Sequence, residues 1–275
     1  MYPAAIHGII DSALKKVLFL RRNPWGFLVS AMLAGVYVGI GVLIACVVGG
    51  PFSAEHSPWT KLLMGGSFSV ALSLVVFAGA ELFTSSNMIM PIAWWERKST
   101  FGQVVAIWLA SWGGNLLGGL CFAALIYLTG VLNSGTDAGF VQTLAVKKTH
   151  LSIVELLTRG AFCNMLVCLA SWCAYRMKSE VGRLIMIFWC LYVFVAAGFE
   201  HSVANMTLLT LALFQAPSMA DPHAVTVLGM GYNLLWVSLG NIIGGMLFVG
   251  AAYWTICHKE ITLDAEVRAA VPVGE

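Results

Sequence analysis

Charged residues are scarce in this sequence. Asp, Glu, Lys and Arg make up 10% of the 275 residues, whereas hydrophobic residues make up 59% and the mean hydropathy is +0.85. A soluble domain carries roughly 25% charged residues, so this composition excludes a soluble globular protein and indicates an integral membrane protein. The net charge of +2 also gives no reason to expect a nucleic-acid partner.

Several motifs of catalysis and metal binding are absent. The sequence has no H-E-x-x-H, C-x-x-C or N-P-A motif, which argues against a zinc hydrolase, a redox or metal centre and an aquaporin-type channel for neutral solutes. The seven cysteines lie in or beside apolar runs, where they are expected to pack. A serine hydrolase is disfavoured because Ser202 directly follows His201 and cannot point at it in regular backbone. We therefore expect no enzyme activity, metal or cofactor.

Long apolar runs dominate what is present. After a polar, basic segment (residues 1–24, expected to form an amphipathic surface helix), six runs cover about residues 25–49, 61–95, 101–129, 158–176, 183–214 and 226–257. A helix needs ~20 apolar residues to cross a membrane, and continuous apolar runs favour helices over barrel strands. The sequence predicts one all-α membrane domain with six spans. Polar, turn-prone residues divide the second and fifth runs, which predicts that helices 2 and 5 are interrupted.

Basic residues set the expected orientation. Eleven of the fifteen lie in the N-terminal segment, in the loops near 97 and 178, and in the tail of residues 258–275, while the alternate loops hold the other four: Lys61, Lys147, Lys148 and Arg159. Because cytoplasmic loops carry an excess of Lys and Arg, we expect both termini to be cytoplasmic.

The two halves of the chain echo each other. Gly79-Ala80-Glu81 is matched by Gly198-Phe199-Glu200, and a G-N-x-x-G-G motif occurs at residues 114–119 and 240–245. Three spans per copy is an odd number, so the copies cross in opposite senses, as in transporters built from inverted repeats. We expect two three-helix repeats, residues 25–130 and 151–257, with the motif glycines serving helix packing.

Two ionisable residues interrupt the fifth apolar run. Glu200 and His201 lie deep within it, beside Gly198, Ser202 and Asn205. A charge at that depth costs at least a few kcal/mol, so such residues mark a functional site by default. The alternative interpretation is a kinked structural helix with a hydrogen-bonded core histidine.

Three stretches resemble the formate/nitrite transporter family: residues 79–84 (G-A-E-L-F-T), 160–168 (G-A-F-C-N-M-L-V-C) and 198–206 (G-F-E-H-S-V-A-N-M). The resemblance covers nearly the whole chain and is greatest to the bacterial nitrite channel branch. It implies an aquaporin-like six-helix protomer, a homopentamer in the bacterial inner membrane and one anion pathway per protomer. It also implies a mobile loop around residues 82–84, although Ser85-Ser86 follows Thr84 where the family often has glycine.

The same resemblance assigns site residues. The central site falls on Thr84, His201 and Asn164, with Lys148 near the outer mouth. The apolar constrictions fall on a further set of residues: Phe68, Leu72, Leu82, Phe83 and Phe194. The implied partners are a small monovalent anion, protons, the lipid bilayer and further copies of the chain.

Each polar residue has an expected role. His201 can donate a hydrogen bond or a proton to an anion, because imidazole titrates nearest neutrality, and Thr84 can donate to the anion while accepting from His201. Lys148 either attracts anions or is a solvated loop lysine. Asn164 is either a second pore donor or an interhelical hydrogen-bonding residue.

The loop residues Glu81, Glu200 and Asn205 are expected to stabilise the interruptions, the two carboxylates by accepting from freed backbone amides. Nitrite is the first expectation for the substrate. Formate, hydrosulfide or a short carboxylate are alternatives within the class, and a neutral-solute channel, an intramembrane enzyme or an oligomeric scaffold are alternatives outside it.

Overall fold

The computed structural model describes residues 3–218, 221 and 223–258, and all regular secondary structure in this part is helical. The expected tail therefore lies almost wholly outside the described residues. The helices are α1 (Pro3–Arg22), α2 (Pro24–Ala54), α3 (Thr60–Gly79), α4 (Phe83–Trp95), α5 (Phe101–Thr129), α6 (Gly135–Thr149), α7 (Ile153–Arg176), α8 (Glu180–Ala197), α9 (Ser202–Gln215) and α10 (Val227–His258).

Six helices in this part of the chain are long and apolar enough to cross a membrane: α2, α3, α5, α7, α8 and α10. They correspond to the six expected runs. Helix α7 begins earlier than expected, at Ile153, because Ser152 and Glu155 form a capping box that satisfies its first amides.

The N-terminal segment is a helix, as expected, and one of its faces is buried. Ile6 and Ile9 have no exposed surface and Ala13 none either, and the helix packs chiefly on α4, α2 and α7. Leu14 of the same helix is 41% exposed. Helix α1 therefore covers one end of the spans rather than lying apart from them.

The segment between the third and fourth spans, expected to be a loop, contains a helix. Helix α6 buries Ala138, Val141 and Ala145 and packs mainly on α2 and α9. Its apolar residues are few and separated by polar ones, so the sequence shows no long apolar run here. Lys148, interpreted as a possible loop lysine, lies in the last turn of this helix.

The non-helical breaks are short. Only residues 80–82 separate α3 from α4, and residues 198–201 separate α8 from α9. Gly79 and Gly198 adopt positive φ values of +82° and +76°, a conformation that ends helices and that glycine adopts without a Cβ penalty. Thr84, expected in a loop, lies in the first turn of α4.

The G-N-x-x-G-G glycines bring helices into backbone contact. A Cβ on Gly118 would lie 2.0 Å from the carbonyl oxygen of Met32, and a Cβ on Gly244 would lie 2.0 Å from that of Ala161. The first contact joins α5 to α2 and the second joins α10 to α7. The packing role expected for these glycines therefore has matching contacts in the two halves.

These contacts predict a position-specific effect of alanine. Gly118→Ala should destabilise the protein by about 1–3 kcal/mol, because backbone atoms cannot move aside as a flexible side chain can. Gly113→Ala in the same helix is the control, since a Cβ there meets no atom within 4 Å. Thermal unfolding in detergent measures both, and equal melting temperatures for the two variants would contradict the contact.

Candidate functional site

Two asparagines hold the non-helical breaks. In the second break, Asn241 Nδ2 donates to the Glu200 carbonyl at 3.0 Å and to the Gly160 carbonyl at 2.8 Å, while its Oδ1 accepts from Ser202 N–H at 3.0 Å. The asparagine thus binds the backbone on both sides of His201. An apolar surrounding makes such pairing of freed backbone groups obligatory.

The first break has the same arrangement. Asn115 Nδ2 donates to the Glu81 and Ala31 carbonyls at 2.9 and 2.8 Å, and its Oδ1 accepts from Phe83 N–H at 2.9 Å. Here the residue held on both sides is Leu82. The expectation that the two glutamate carboxylates accept from loop amides stays a prediction, and the side-chain amides of Asn115 and Asn241 are the groups seen to bind the backbone of the breaks.

The two carboxylates pair with lysines from the helices outside the six spans. Glu81 binds Lys16 of α1, and Lys148 Nζ of α6 lies 2.8 Å from both oxygens of Glu200. The Lys148 and Glu200 side chains are 18% and 4% exposed. The interpretation of Lys148 as a solvated lysine is therefore wrong.

A second amide supports Glu200. Asn205 Nδ2 donates to Glu200 Oε2 at 2.7 Å and to Asn233 Oδ1 at 2.8 Å, and Asn233 Nδ2 donates to the Lys148 carbonyl at 2.9 Å. These bonds join α9, α10 and α6 around one carboxylate. They are consistent with the loop-stabilising role expected of Asn205.

A cavity of about 420 Å³ reaches His201 from one side. All four basic residues of the alternate loops line it, together with one carboxylate among the described residues of its wall: Lys61, Lys147, Lys148, Arg159 and Glu200. Lys148 is neutralised by Glu200, and Arg159 is offset by Glu155, whose Oε1 lies 2.9 Å from Arg159 Nη2. Lys61 and Lys147 therefore supply most of its positive charge.

The histidine ring is held in one tautomer. His201 Nδ1 accepts from Ala204 N–H at 3.1 Å, so the neutral ring carries its proton on Nε2. Nε2 lies 3.1 Å from Thr84 Oγ1, which places Nε2–H as the donor and the hydroxyl oxygen as the acceptor. Thr84 is fully buried and lines neither this cavity nor the one described next.

Apolar side chains narrow the space around His201. The Phe194 ring stacks on the imidazole, with centroids 5.9 Å apart, and meets the Phe68 ring edge-on at 5.6 Å. Beyond them lies a void of only about 10 Å³, lined among others by Leu72 and Leu82 and also by His201. Four of the five expected constriction residues meet here. Phe83 is buried but lines neither cavity.

Asn164 does not face either cavity. Its Nδ2 donates to the Thr84 carbonyl at 3.1 Å and to the Asn241 carbonyl at 2.6 Å, and the side chain has no exposed surface. Of its two expected roles, the geometry matches the interhelical hydrogen bond.

The family model described as "Formate/nitrite transporter" matches residues 3–255. The chain belongs to the formate/nitrite transporter family. This membership confirms the resemblance and makes the protein a multi-pass membrane transporter of an anion channel family, not an enzyme.

Three relatives illustrate the match. The nitrite transporter NirC of Escherichia coli (strain K12) is 39% identical over 259 residues, which are 94% of each chain. A structure of an "FNT family ion channel" has a TM-score of 0.85 and 38% identity, covering 92% of this chain and 98% of the other. A "pentameric formate channel with formate bound" has a TM-score of 0.73 and 29% identity, covering 90% and 98%.

Sequence reasoning missed two sets of residues. Asn115 and Asn241 were passed over because their motif was assigned to packing, although an asparagine repeated within two apolar helices is itself a signal. Lys61 and Lys147 were counted for orientation only. Their position in the alternate loops, with Lys148 and Arg159, was a signal that the few basic residues on that side have a shared role.

The Lys148–Glu200 pair predicts a non-additive response to substitution. Lys148→Met leaves a nearly buried carboxylate unpaired and should destabilise the protein by about 3–5 kcal/mol. Glu200→Gln added to Lys148→Met removes that charge, while the new side-chain oxygen still accepts from Asn205, so the double variant should recover stability. Unfolding midpoints of the three proteins in detergent measure this, and a double variant less stable than Lys148→Met would disprove the coupling.

Proposed function

We propose that this protein carries a small monovalent anion, nitrite first, through each protomer, and that His201 donates a hydrogen bond or a proton to the anion midway. The observation that carries the proposal is the position of His201, which lines both the large cavity and the small void beyond the Phe68–Phe194 pair. A donor at a narrowing between two spaces meets every solute that passes.

The chemistry follows from the low polarity of the narrowing. A bare anion is costly to desolvate among phenylalanine and leucine side chains, whereas a hydrogen-bonded or protonated species is less so. Lys61 and Lys147 raise the anion concentration in the cavity. The anion then displaces Thr84 Oγ1 as acceptor of the His201 Nε2 proton. Full proton transfer requires the ring to be protonated first: a proton from the cavity water adds to Nδ1, which gives up its bond from Ala204 N–H, and the Nε2 proton then passes to the anion, so that the ring ends neutral.

The large cavity is proposed to open on the outer side of the bacterial inner membrane, with both termini in the cytoplasm. The four basic residues that the positive-inside rule places outside all line this cavity. A role in the cavity would account for basic residues on that side of the membrane. Residues 25–130 and 151–257 are proposed to form inverted repeats of one domain. The matched Asn115 and Asn241 bonds support this, with α3–α4 and α8–α9 each forming one interrupted span. A homopentamer is proposed from the likeness to the pentameric formate channel.

Substrate preference rests on the relatives. The identity to a nitrite transporter is 39% over 94% of the chain, against 29% for the formate-bound channel, which favours nitrite. Formate remains the second candidate, because both are small monovalent oxyanions that the same donor and cations accommodate.

His201→Asn tests the role of the imidazole. The amide still fits the break and can donate a hydrogen bond, but it cannot give up a proton near neutral pH. We expect nitrite flux into proteoliposomes to fall at least about tenfold and to lose its dependence on an imposed pH gradient. Undiminished proton-coupled uptake would remove His201 from the mechanism. Thr84→Val is the companion variant: it keeps the ring but removes the hydroxyl that orients the ring before the anion arrives, and it should lower flux while the pH dependence persists.

Lys147→Gln tests the electrostatic part of the proposal. At low ionic strength, the nitrite concentration for half-maximal flux should rise at least about threefold, and the difference should shrink as added salt screens the charge. Lys178→Gln removes an exposed lysine between α7 and α8 that does not line the cavity, so it controls for net charge. The same rise in both variants would show that the cavity charge is not responsible.

A further inference from the structure

We infer that Asn241 is the residue that positions His201, and that Asn115 positions Leu82 in the same manner. Each is a positioning residue, since it acts through the backbone and lines neither cavity. The transport consequences rest on the function proposed above, whereas the positioning itself is a property of the fold.

The geometry of Asn241 leaves His201 little freedom. One side-chain amide binds the carbonyl before His201 and the N–H after it, at 3.0 Å each, and is itself anchored to the Gly160 carbonyl at 2.8 Å. All three contacts are buried and join α10, α7 and the break. Because the two bonded groups directly precede and follow His201, the Asn241 side chain restricts the backbone conformation at that residue.

Asn241 also links His201 to its hydrogen-bond partner. The Asn241 carbonyl accepts from Asn164 Nδ2 at 2.6 Å, and the same nitrogen donates to the Thr84 carbonyl at 3.1 Å. The Thr84 and His201 side chains then meet at 3.1 Å. The two partners of the central hydrogen bond are therefore held by one closed ring of contacts through Asn164 and Asn241.

The residues of this closed set of contacts are tightly packed. A Cβ on Gly245, four residues after Asn241, would lie 2.7 Å from Asn164 Nδ2 and 2.9 Å from Cys168 Sγ. Glycine at this position lets α10 approach closely enough for the Asn164–Asn241 bond to form. Gly245, the last glycine of the G-N-x-x-G-G motif at residues 240–245, thus contributes to the positioning of Asn241 as well as to helix packing.

Asn115 is the matched comparison that the molecule supplies. It makes the same three kinds of bond at 2.8–2.9 Å, but the residue it brackets is an apolar constriction residue rather than the proton donor. The same substitution at the two positions removes equivalent contacts. A loss of flux common to both variants therefore indicates impaired folding, whereas a difference between the variants reflects the residue that each asparagine positions.

The experiment uses Asn241→Leu and Asn115→Leu in the full chain, since leucine has a similar size and lacks the amide. In histidine-¹⁵N-labelled protein, the His201 ring signals (assigned by their absence in His201→Asn) report the tautomer and the hydrogen bonds of Nδ1 and Nε2. We expect these signals to shift or broaden in Asn241→Leu and to match wild type in Asn115→Leu. Nitrite flux should fall about tenfold or more in Asn241→Leu and lose its pH dependence, which Asn115→Leu should retain.

Unchanged His201 signals in Asn241→Leu, or equal changes in both variants, would overturn the inference. Where a leucine variant does not fold, the Asn241→Asp and Asn115→Asp pair gives the same comparison, because aspartate keeps the acceptor for the N–H and loses the donors to the carbonyls. If wild-type flux proves independent of His201, the proposed function fails, while the ring signals still decide whether Asn241 positions the histidine.

Discussion

Hydrogen bonding of freed backbone groups is the constraint on which this structure depends. A helix interrupted within an apolar surrounding exposes amides and carbonyls, and each such group costs several kcal/mol where it finds no hydrogen-bond partner. Asn115 and Asn241 meet this requirement from neighbouring helices. The backbone at Leu82 and His201 can therefore leave helical geometry while its neighbouring amide and carbonyl groups stay hydrogen-bonded.

Charge is distributed by the same logic. The two glutamates of the breaks are each neutralised by a lysine from a helix outside the spans, because an unpaired carboxylate there would be expensive and would repel an anion. This pairing leaves Lys61 and Lys147 as the cations that act on the cavity. In the proposed mechanism, Lys61 and Lys147 attract the anion, whereas Lys16 and Lys148 neutralise the two glutamates.

Much of the fold was predictable from local features. Six spans follow from run length, and the breaks follow from Gly79 and Gly198 beside polar residues. Helix α6 was not predictable in this way. Its apolar residues are few and separated by polar ones, and they are buried only because the helix packs on α2 and α9. For the site, His201 stood out as an ionisable residue in an apolar run, but the role of Asn164 depended on which carbonyls lie within its reach.

Composition and residues adjacent in the chain are enough to predict the membrane class, the number of spans, the departures from helical geometry near Gly79 and Gly198, and the family. The partners of the buried polar groups depend instead on how the helices pack. Lys148 and Glu200 are 52 positions apart, and Asn241 and Glu200 are 41 apart. A hydrogen bond requires atoms within about 3 Å, and only packing of the helices brings such distant residues that close.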